Sequence, residues 1–383
     1  MKISGALCGK ISVMLMSGCI VMAGLLAASP PAAAAVDEAP VKTYTFKEVG
    51  EIAQRNSSEV IRQKSAVEQA GQNKESQLSA YQNQVYNFYS DPDSLISESS
   101  LLSLQDNYES AVNSYEDAEE TLAKLKPKVA YQAQKLYLDI LQGGLQIQIQ
   151  EKEAERLKDE YELAKVKTAF GAFTQAQLSN ARAQWENATE ALDNLKDARK
   201  ANMDSMREYL NLAAAVEFAL EEPPGFGEYE MKFDEEEVMA AALKNSLALK
   251  QAQREVDELG EKIRRYLGEG ESSQAERLAS SGPGKELALK ETRQSLVRSV
   301  ENTMKEFHGL ETALSKANES LYAAQRTQLT TRMRLSMGLA TLNELRNAER
   351  AVLAAEKDVT QARYNRYLGT KKVQLLKEGV LVN

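Results

Sequence analysis

The chain has 383 residues with 8 prolines, 6% aromatic side chains, 27% charged side chains and a formal net charge of −9. Its length allows one large domain or two ordinary ones, and its wealth of Ala, Leu, Glu, Gln, Lys and Arg favours long helices over a mixed core. The acidic balance excludes nucleic acid as the expected partner, because phosphate recognition needs concentrated Lys and Arg; the sign-alternating charges suit solvated helix faces instead.

Residues 1–35 read as a secretory signal peptide. Lys2 and Lys10 form a basic start, no charge follows from Ile11 to Ala35, and Ala32 to Ala35 offer an A-x-A cleavage site after Pro30-Pro31. An uncleaved membrane anchor is the rival reading, since the apolar run is near spanning length. Lipidation of Cys19 is a weaker one, because the apolar core continues past it. Both cysteines, Cys8 and Cys19, lie in this leader, so a processed chain has neither a disulfide nor thiol chemistry. The single histidine, His308, sits among helical residues and reads as structural. No metal-ligand, nucleophile-elbow or phosphate-loop motif occurs. No catalytic residue, metal site or cofactor is expected, and the chain does not read as an enzyme.

After the leader, two openings resemble each other. Tyr44 to Ser58 and Met231 to Ser246 each carry an aromatic entry (Phe46, Phe233), an acidic first turn and an Asn-Ser break (Asn56-Ser57, Asn245-Ser246). Early acidic residues suit a helix N-terminus, and Asn-Ser suits the end of one helix and the cap of the next. A short helix followed by a long one is expected twice. Asp91-Pro92-Asp93 turns the first hairpin at its far end. Tyr81, Tyr86 and Tyr89 cluster toward that end, either as an interfacial belt or as packing around the turn.

The next helix runs from about Leu95 to Phe170, with Pro127 expected to kink or split it and Gly143-Gly144 a second weak point. Then comes a joint, Gly171-Ala-Phe-Thr174. The glycine ends one helix in the left-handed conformation and the threonine caps the next. The returning helix, about Thr174 to Leu212, places Leu178, Ala181, Trp185, Ala188, Leu192 and Leu195 at steps of 3, 4, 3, 4 and 3, the apolar seam of a left-handed coiled coil. Trp185 therefore reads as core packing.

Glu221 to Gly227 links the halves, and Val216 to Phe233 holds either a short strand or irregular packing. In the second half, Gly268 to Gly284 is the expected far turn, followed by a helix from about Lys285 to Met337. The joint then recurs as Gly338-Leu-Ala-Thr341. After it Leu345, Ala348, Val352, Ala355, Val359 and Ala362 repeat the seam at the same distance from the glycine, on a helix from about Thr341 to Leu376. The chain is thus an internal duplication: 36–215 is the first helical repeat, 216–230 the linker and 231–383 the second. The fold class is all-α, two repeated long antiparallel coiled-coil hairpins. Four such rods can close into a bundle or line up edge to edge between copies as a tube wall; periodicity does not choose. Glu344 reads equally as a pore-facing carboxylate or as a first-turn glutamate favoured by the helix dipole.

The duplicated joint, Asn180-Ala-Arg-Ala-Gln-Trp185, the stretch from Asn347-Ala-Glu-Arg to Gly369 and the paired openings together resemble the TolC-type outer-membrane efflux proteins, over roughly residues 44 to 380. The resemblance implies a homotrimer in which each subunit adds four helical strands to a twelve-strand duct and four β-strands to an outer-membrane barrel. It implies a periplasmic adaptor at the duct's inner tip and an inner-membrane pump beyond it. Gly171, Thr174, Gly338 and Thr341 become tip residues that dock the adaptor. Glu344 falls where the family often has a pore-facing acid, with Gln177 its counterpart in the first half and Asn347 at a second acidic position. One departure stands out. The places for membrane strands, Asn87 to Ser100 and Gly268 to Gly284, lack strands of 9–11 alternating residues. The barrel is therefore expected to be missing or vestigial. Two functions follow: an export duct of the cell envelope, or a non-conducting structural coiled-coil protein descended from one.

Overall fold

The computed structural model describes residues 42–90, 97–213, 216–221 and 232–382, apart from the side chains of residues 98 and 99. The leader, the Asp91-Pro92-Asp93 turn and most of the inter-repeat linker lie outside the described residues. Of those described, 88% are helical, which makes the protein all-α.

Each half opens as its sequence dictates. Strand β1 (Lys42–Tyr44) leads into α1 (Phe46–Asn56) and α2 (Ser58–Ser90). In the second half α5 (Glu235–Asn245) precedes α6 (Leu247–Gly268). A single serine makes each break. Ser57 donates its N–H to Ala53 and accepts from the Glu59 N–H; Ser246 donates to Ala242 and accepts from the Leu249 N–H. One extended residue thus closes one helix and caps the next.

The long helices are α3 (Glu98–Ala169) and α8 (Gly282–Ser336), and the returning ones α4 (Gln175–Leu210) and α9 (Leu342–Lys377). At 1.5 Å per residue α3 is about 108 Å long. It runs unbroken through Pro127, so the expected split does not occur. Leu122, Leu125 and Val129, on both sides of that proline, pack into one core, and this burial holds the helix on across the lost hydrogen bond. Gly143 and Gly144 are helical too, against the stem of Arg199. The second far turn also differs from expectation. Between Gly270 and Gly282 the chain forms a short helix, α7 (Ser272–Ala279), which packs on α6 and buries Ala275.

Ion pairs and ring contacts give the order of the rods. Toward the far end, α3 packs between α2 (Tyr81 stacked on Tyr108) and α6 (Arg254 to Asp117, Arg265 to Asp106, both 2.8 Å). Toward the joints, α3 packs between α4 (Gln150 to the Ala188 carbonyl, Tyr161 stacked on Trp185) and α9 (Arg350 to Glu153, 2.6 Å). The other side of α6 and α9 is taken by α8. The protein is therefore a four-rod wall: α2 with α4, then α3, then α6 with α9, then α8. Direction alternates from each rod to the next. The first and last rods are free edges, so the wall does not close on itself as a four-helix bundle.

The seams behave as the spacing requires. Ala348, Val352, Ala355, Val359 and Ala362 are all buried on α9, and Ala188 is buried on α4 with its seam neighbours half-buried. The thickest core lies at mid-length, where α1 and α5 cover the wall. Val49 and Ala53 of α1 meet Tyr137, Leu138 and Ile140 of α3, while Val238 and Ala242 of α5 meet Val300, Met304 and Phe307 of α8. The undecided Val216 to Phe233 stretch contributes β2 (Phe218–Leu220), which pairs in parallel with β1 in the register Lys42↔Phe218 to Tyr44↔Leu220. The Tyr137 hydroxyl donates to the Tyr44 and Glu221 carbonyls and ties this ribbon to α3. These three-residue strands are the only ones among the described residues, so the expected lack of membrane-length strands holds for them. No helix among the described residues is long and apolar enough to cross a membrane.

Candidate functional site

The two joints lie at one end of the wall. At the first, Phe170 follows α3 and Gly171 turns left-handed at φ 72°. Its N–H donates to the Thr168 carbonyl, and the next N–H, of Ala172, donates back to Lys167 at 2.8 Å. Thr174 is extended, its hydroxyl accepts from the Gln177 N–H at 3.3 Å, and the Gln177 side-chain oxygen accepts from the Thr174 N–H at 2.8 Å. The second joint repeats this. Gly338 has φ 72°, Leu339 donates to the Arg334 carbonyl at 2.7 Å, the Thr341 hydroxyl accepts from the Glu344 N–H, and the Glu344 carboxylate accepts from the Thr341 N–H at 2.6 Å. Both are reciprocal capping boxes.

The two boxes differ in one atom type. Gln177 is neutral, whereas Glu344 carries charge. The Thr341 backbone bond, then the Thr341 hydroxyl, hold the Glu344 carboxyl below its ordinary 4.5. Gln177, Glu344 and Asn347 are all exposed, on the first turns of α4 and α9. A side chain added at Gly171 or Gly338 meets nothing, so backbone conformation alone demands glycine there.

Sequence reasoning missed two features of this end. The first is apolar exposure: Phe170 is 85% exposed, and Met333, Met337, Leu339 and Leu342 are each more than half exposed. One of these residues flanks the first glycine and four flank the second. Their chain positions, flanking both glycines, were the available signal. The second is a pair of ties between the hairpins above the joints. Arg350 lies 2.6 Å from Glu153, and Arg346 lies 3.9 Å from Asp159. The Arg156 guanidinium, with Arg350 behind it, holds Glu153 below the usual carboxylate range. Beside these ties runs an open groove of about 670 Å³ lined by α3, α8 and α9, including Arg156, Gln325, Gln328 and Glu349. Of its charged groups Arg346 and Asp159 pair with each other, while Arg156, Arg350 and Glu349 pair with Glu153, Glu160 and Arg332 outside the lining. Among the described residues no cluster of His, Cys, Asp and Glu could hold a metal ion. His308 is on the surface of α8, 3.5 Å from Glu311 and beside Phe307.

This fold superposes on solved outer-membrane channels. The outer-membrane channel OprN is 12% identical and superposes with a TM-score of 0.63, over 87% of this chain and 90% of that one. The CmeC outer membrane channel of Campylobacter jejuni is 10% identical with a TM-score of 0.62, over 88% and 86%. CusC, whose structures concern folding and transmembrane channel formation, is 13% identical with a TM-score of 0.59, over 88% and 92%. The chain has the fold of these outer-membrane channels. No family model and no curated relative matches its sequence. The neighbours are channels rather than enzymes, and the channel fold agrees with the fold that the sequence resemblance implied. Within it, the joints at Gly171 and Gly338 are hairpin bends, as their spacing predicts.

Proposed function

We propose that this protein is the wall-forming subunit of an export or efflux duct in the cell envelope, assembled as a homotrimer. The observation that carries this reading is the pair of free edges, each with a second seam pointing away from its own subunit. On α4, Ala176, Asn180, Ala183, Asn187, Glu190 and Asn194 are exposed at steps of 4, 3, 4, 3 and 4, opposite the buried seam. On α8, Ser315, Glu319, Tyr322, Arg326, Leu329 and Met333 are exposed at the same steps. Spacing of this kind is what coiled-coil contact requires.

An edge-to-edge join between copies brings the large Tyr322, Leu329 and Met333 of α8 against the small Ala176, Asn180 and Ala183 of α4. The two edges also run in opposite directions, so the join continues the alternation of the wall.

In this reading the two repeats, 36–215 and 231–383 joined by 216–230, arose by duplication, and removal of residues 1–35 accompanies export. The exposed bends around Gly171, Thr174, Gly338 and Thr341 dock a periplasmic adaptor, which connects to an inner-membrane pump. Glu344, Gln177 and Asn347 line the mouth there. Sedimentation of the purified protein tests the assembly: a trimer that Tyr322→Asp converts to monomer supports it, and a wild-type monomer at micromolar concentration sinks it.

A second reading, a non-conducting structural protein of the envelope, is favoured by one observation: the described residues hold no membrane-length strand at the far end. Dye accumulation in a deletion strain separates the two. Raised accumulation supports the duct; unchanged accumulation with altered envelope shape supports the scaffold.

A further inference from the structure

The far end of α2 combines a charge-free stretch with a cluster of aromatic rings. From Ser58 to Glu75 the helix carries Glu59, Arg62, Lys64, Glu68, Lys74 and Glu75; from Ser76 to Ser90 it carries no charge. That same stretch holds Tyr81, Tyr86, Phe88 and Tyr89. Tyr81 is stacked on Tyr108 of α3, but Tyr86 is 71% and Tyr89 79% exposed, with the Phe88 ring edge-on to Tyr89.

In the proposed ring, where every copy's α8 begins at one level, the neighbouring copy's edge helix stops short of these rings. Helix α8 begins at Gly282, beside Leu259 of α6. The bonds from Arg254 to Asp117 and from Arg265 to Asp106 set Leu259 level with Asn113 to Ala111 on α3, and the Tyr81–Tyr108 stack sets that level near residue 77 of α2. The uncharged stretch therefore starts where α8 stops. By the same register α2 ends roughly 6 Å beyond the end of α6, at 1.5 Å per residue. Among the described residues Tyr86 stands level with the end of α6 and Tyr89 beyond it, both past the level at which α8 begins.

Tyrosine has an apolar ring and a polar tip, which suits a boundary between water and hydrocarbon, and the charge-free stretch of α2 adds no ion to that boundary. No described helix is long and apolar enough to cross a bilayer. We infer that the far end of α2 rests on a lipid surface at headgroup level, touching the bilayer without crossing it, through Tyr86, Phe88 and Tyr89. The net charge of −9, with Asp91 and Asp93 next in sequence, selects a zwitterionic surface over an anionic one. The inference concerns one subunit's end and holds whether or not the protein conducts.

Flotation with phosphatidylcholine vesicles tests it, using the chain from residue 36 onward so that the apolar leader cannot bind lipid. The chain from Lys42 on is a compact unit by itself. The wild type is expected to float, and the triple variant Tyr86→Ser, Phe88→Ser, Tyr89→Ser to lose binding by about tenfold or more. Binding is expected to survive added salt and not to rise with anionic lipid. Brominated lipid is expected to quench a Tyr89→Trp, Trp185→Phe variant and to leave the native Trp185, on the opposite half of the wall, unquenched. No flotation, equal flotation of the triple variant, quenching of Trp185, or ring-dependent binding to isolated cell-wall polysaccharide in place of vesicles each overturns the inference. So does loss of the oligomer in the triple variant, which would assign the rings to a subunit contact.

Discussion

Gly171 and Gly338 share the same left-handed backbone, φ 72°, and each stands three residues before a threonine that caps the returning helix. Two bends 167 positions apart in the chain are thus built from one set of local instructions. Nothing crowds either glycine. Replacing one with alanine therefore costs only the left-handed conformation, roughly 1 kcal/mol. Gly171→Ala and Gly338→Ala should lower the melting temperature by similar small amounts, and Asn at either position should cost less than Ala. A large loss in either alanine variant would show that the bend carries packing as well.

The two capping boxes should respond differently to acid. Glu344 has its carboxyl held below 4.5 by Thr341, so its stabilising contribution is present above that value and is lost as pH falls through the depressed folded value. Gln177 does not titrate. Amide exchange in the first turn of α9, relative to a pH-matched peptide, should accelerate below pH 4.5, while the first turn of α4 stays unchanged. Glu344→Gln should remove the difference. Thr174→Ala, in contrast, should weaken its joint at every pH, by about 1 kcal/mol.

Burial pushes the Tyr137 phenol up to about 12, with the Glu221 carboxylate adding to the shift. A group with a raised folded value contributes stability that is complete below its ordinary value of 10 and declines as pH rises toward 12. The waist of the protein should therefore loosen over that range, with Tyr131, also raised to about 12, acting in the same sense. Tyr137→Phe strips the donor from the Tyr44 and Glu221 carbonyls and should cost roughly 1–2 kcal/mol at neutral pH. Thermal melts between pH 7 and 11 compare the two effects.

Glu153 accepts from Arg156 at 2.8 Å and also faces Arg350, whereas Arg350 has Glu153 as its ion-pair partner. Because these groups are partly exposed, Arg350→Ala should cost under about 1 kcal/mol. Glu153→Ala should cost more, since it leaves Arg350 without its acid and Arg156 with Glu160 alone. A double-mutant cycle on chemical denaturation checks the order.

Much of the site was legible because its rules are local. The Gly-x-x-Thr joints, the Asn-Ser breaks and the 3-4 seams each rest on contacts within a few residues or on helical spacing, and each appears where the spacing put it. The short helix α7 was not legible, because Gly268 to Gly284 carries turn residues that equally permit a brief helix once Ala275 has α6 to pack on. Nor was the continuity of α3 through Pro127, since the burial that holds it comes from residues distant in the chain.

The sequence by itself determined that this protein is made of two copies of a glycine-hinged hairpin, because helix periodicity and capping are written in neighbouring side chains. Only the tertiary structure decided that the rods form an open wall and not a closed bundle, that β1 finds β2 some 176 residues away, and that α4 and α8 are left as free edges. An a/d seam states that a helix needs a partner; which partner it takes depends on the packing of all the other rods at once.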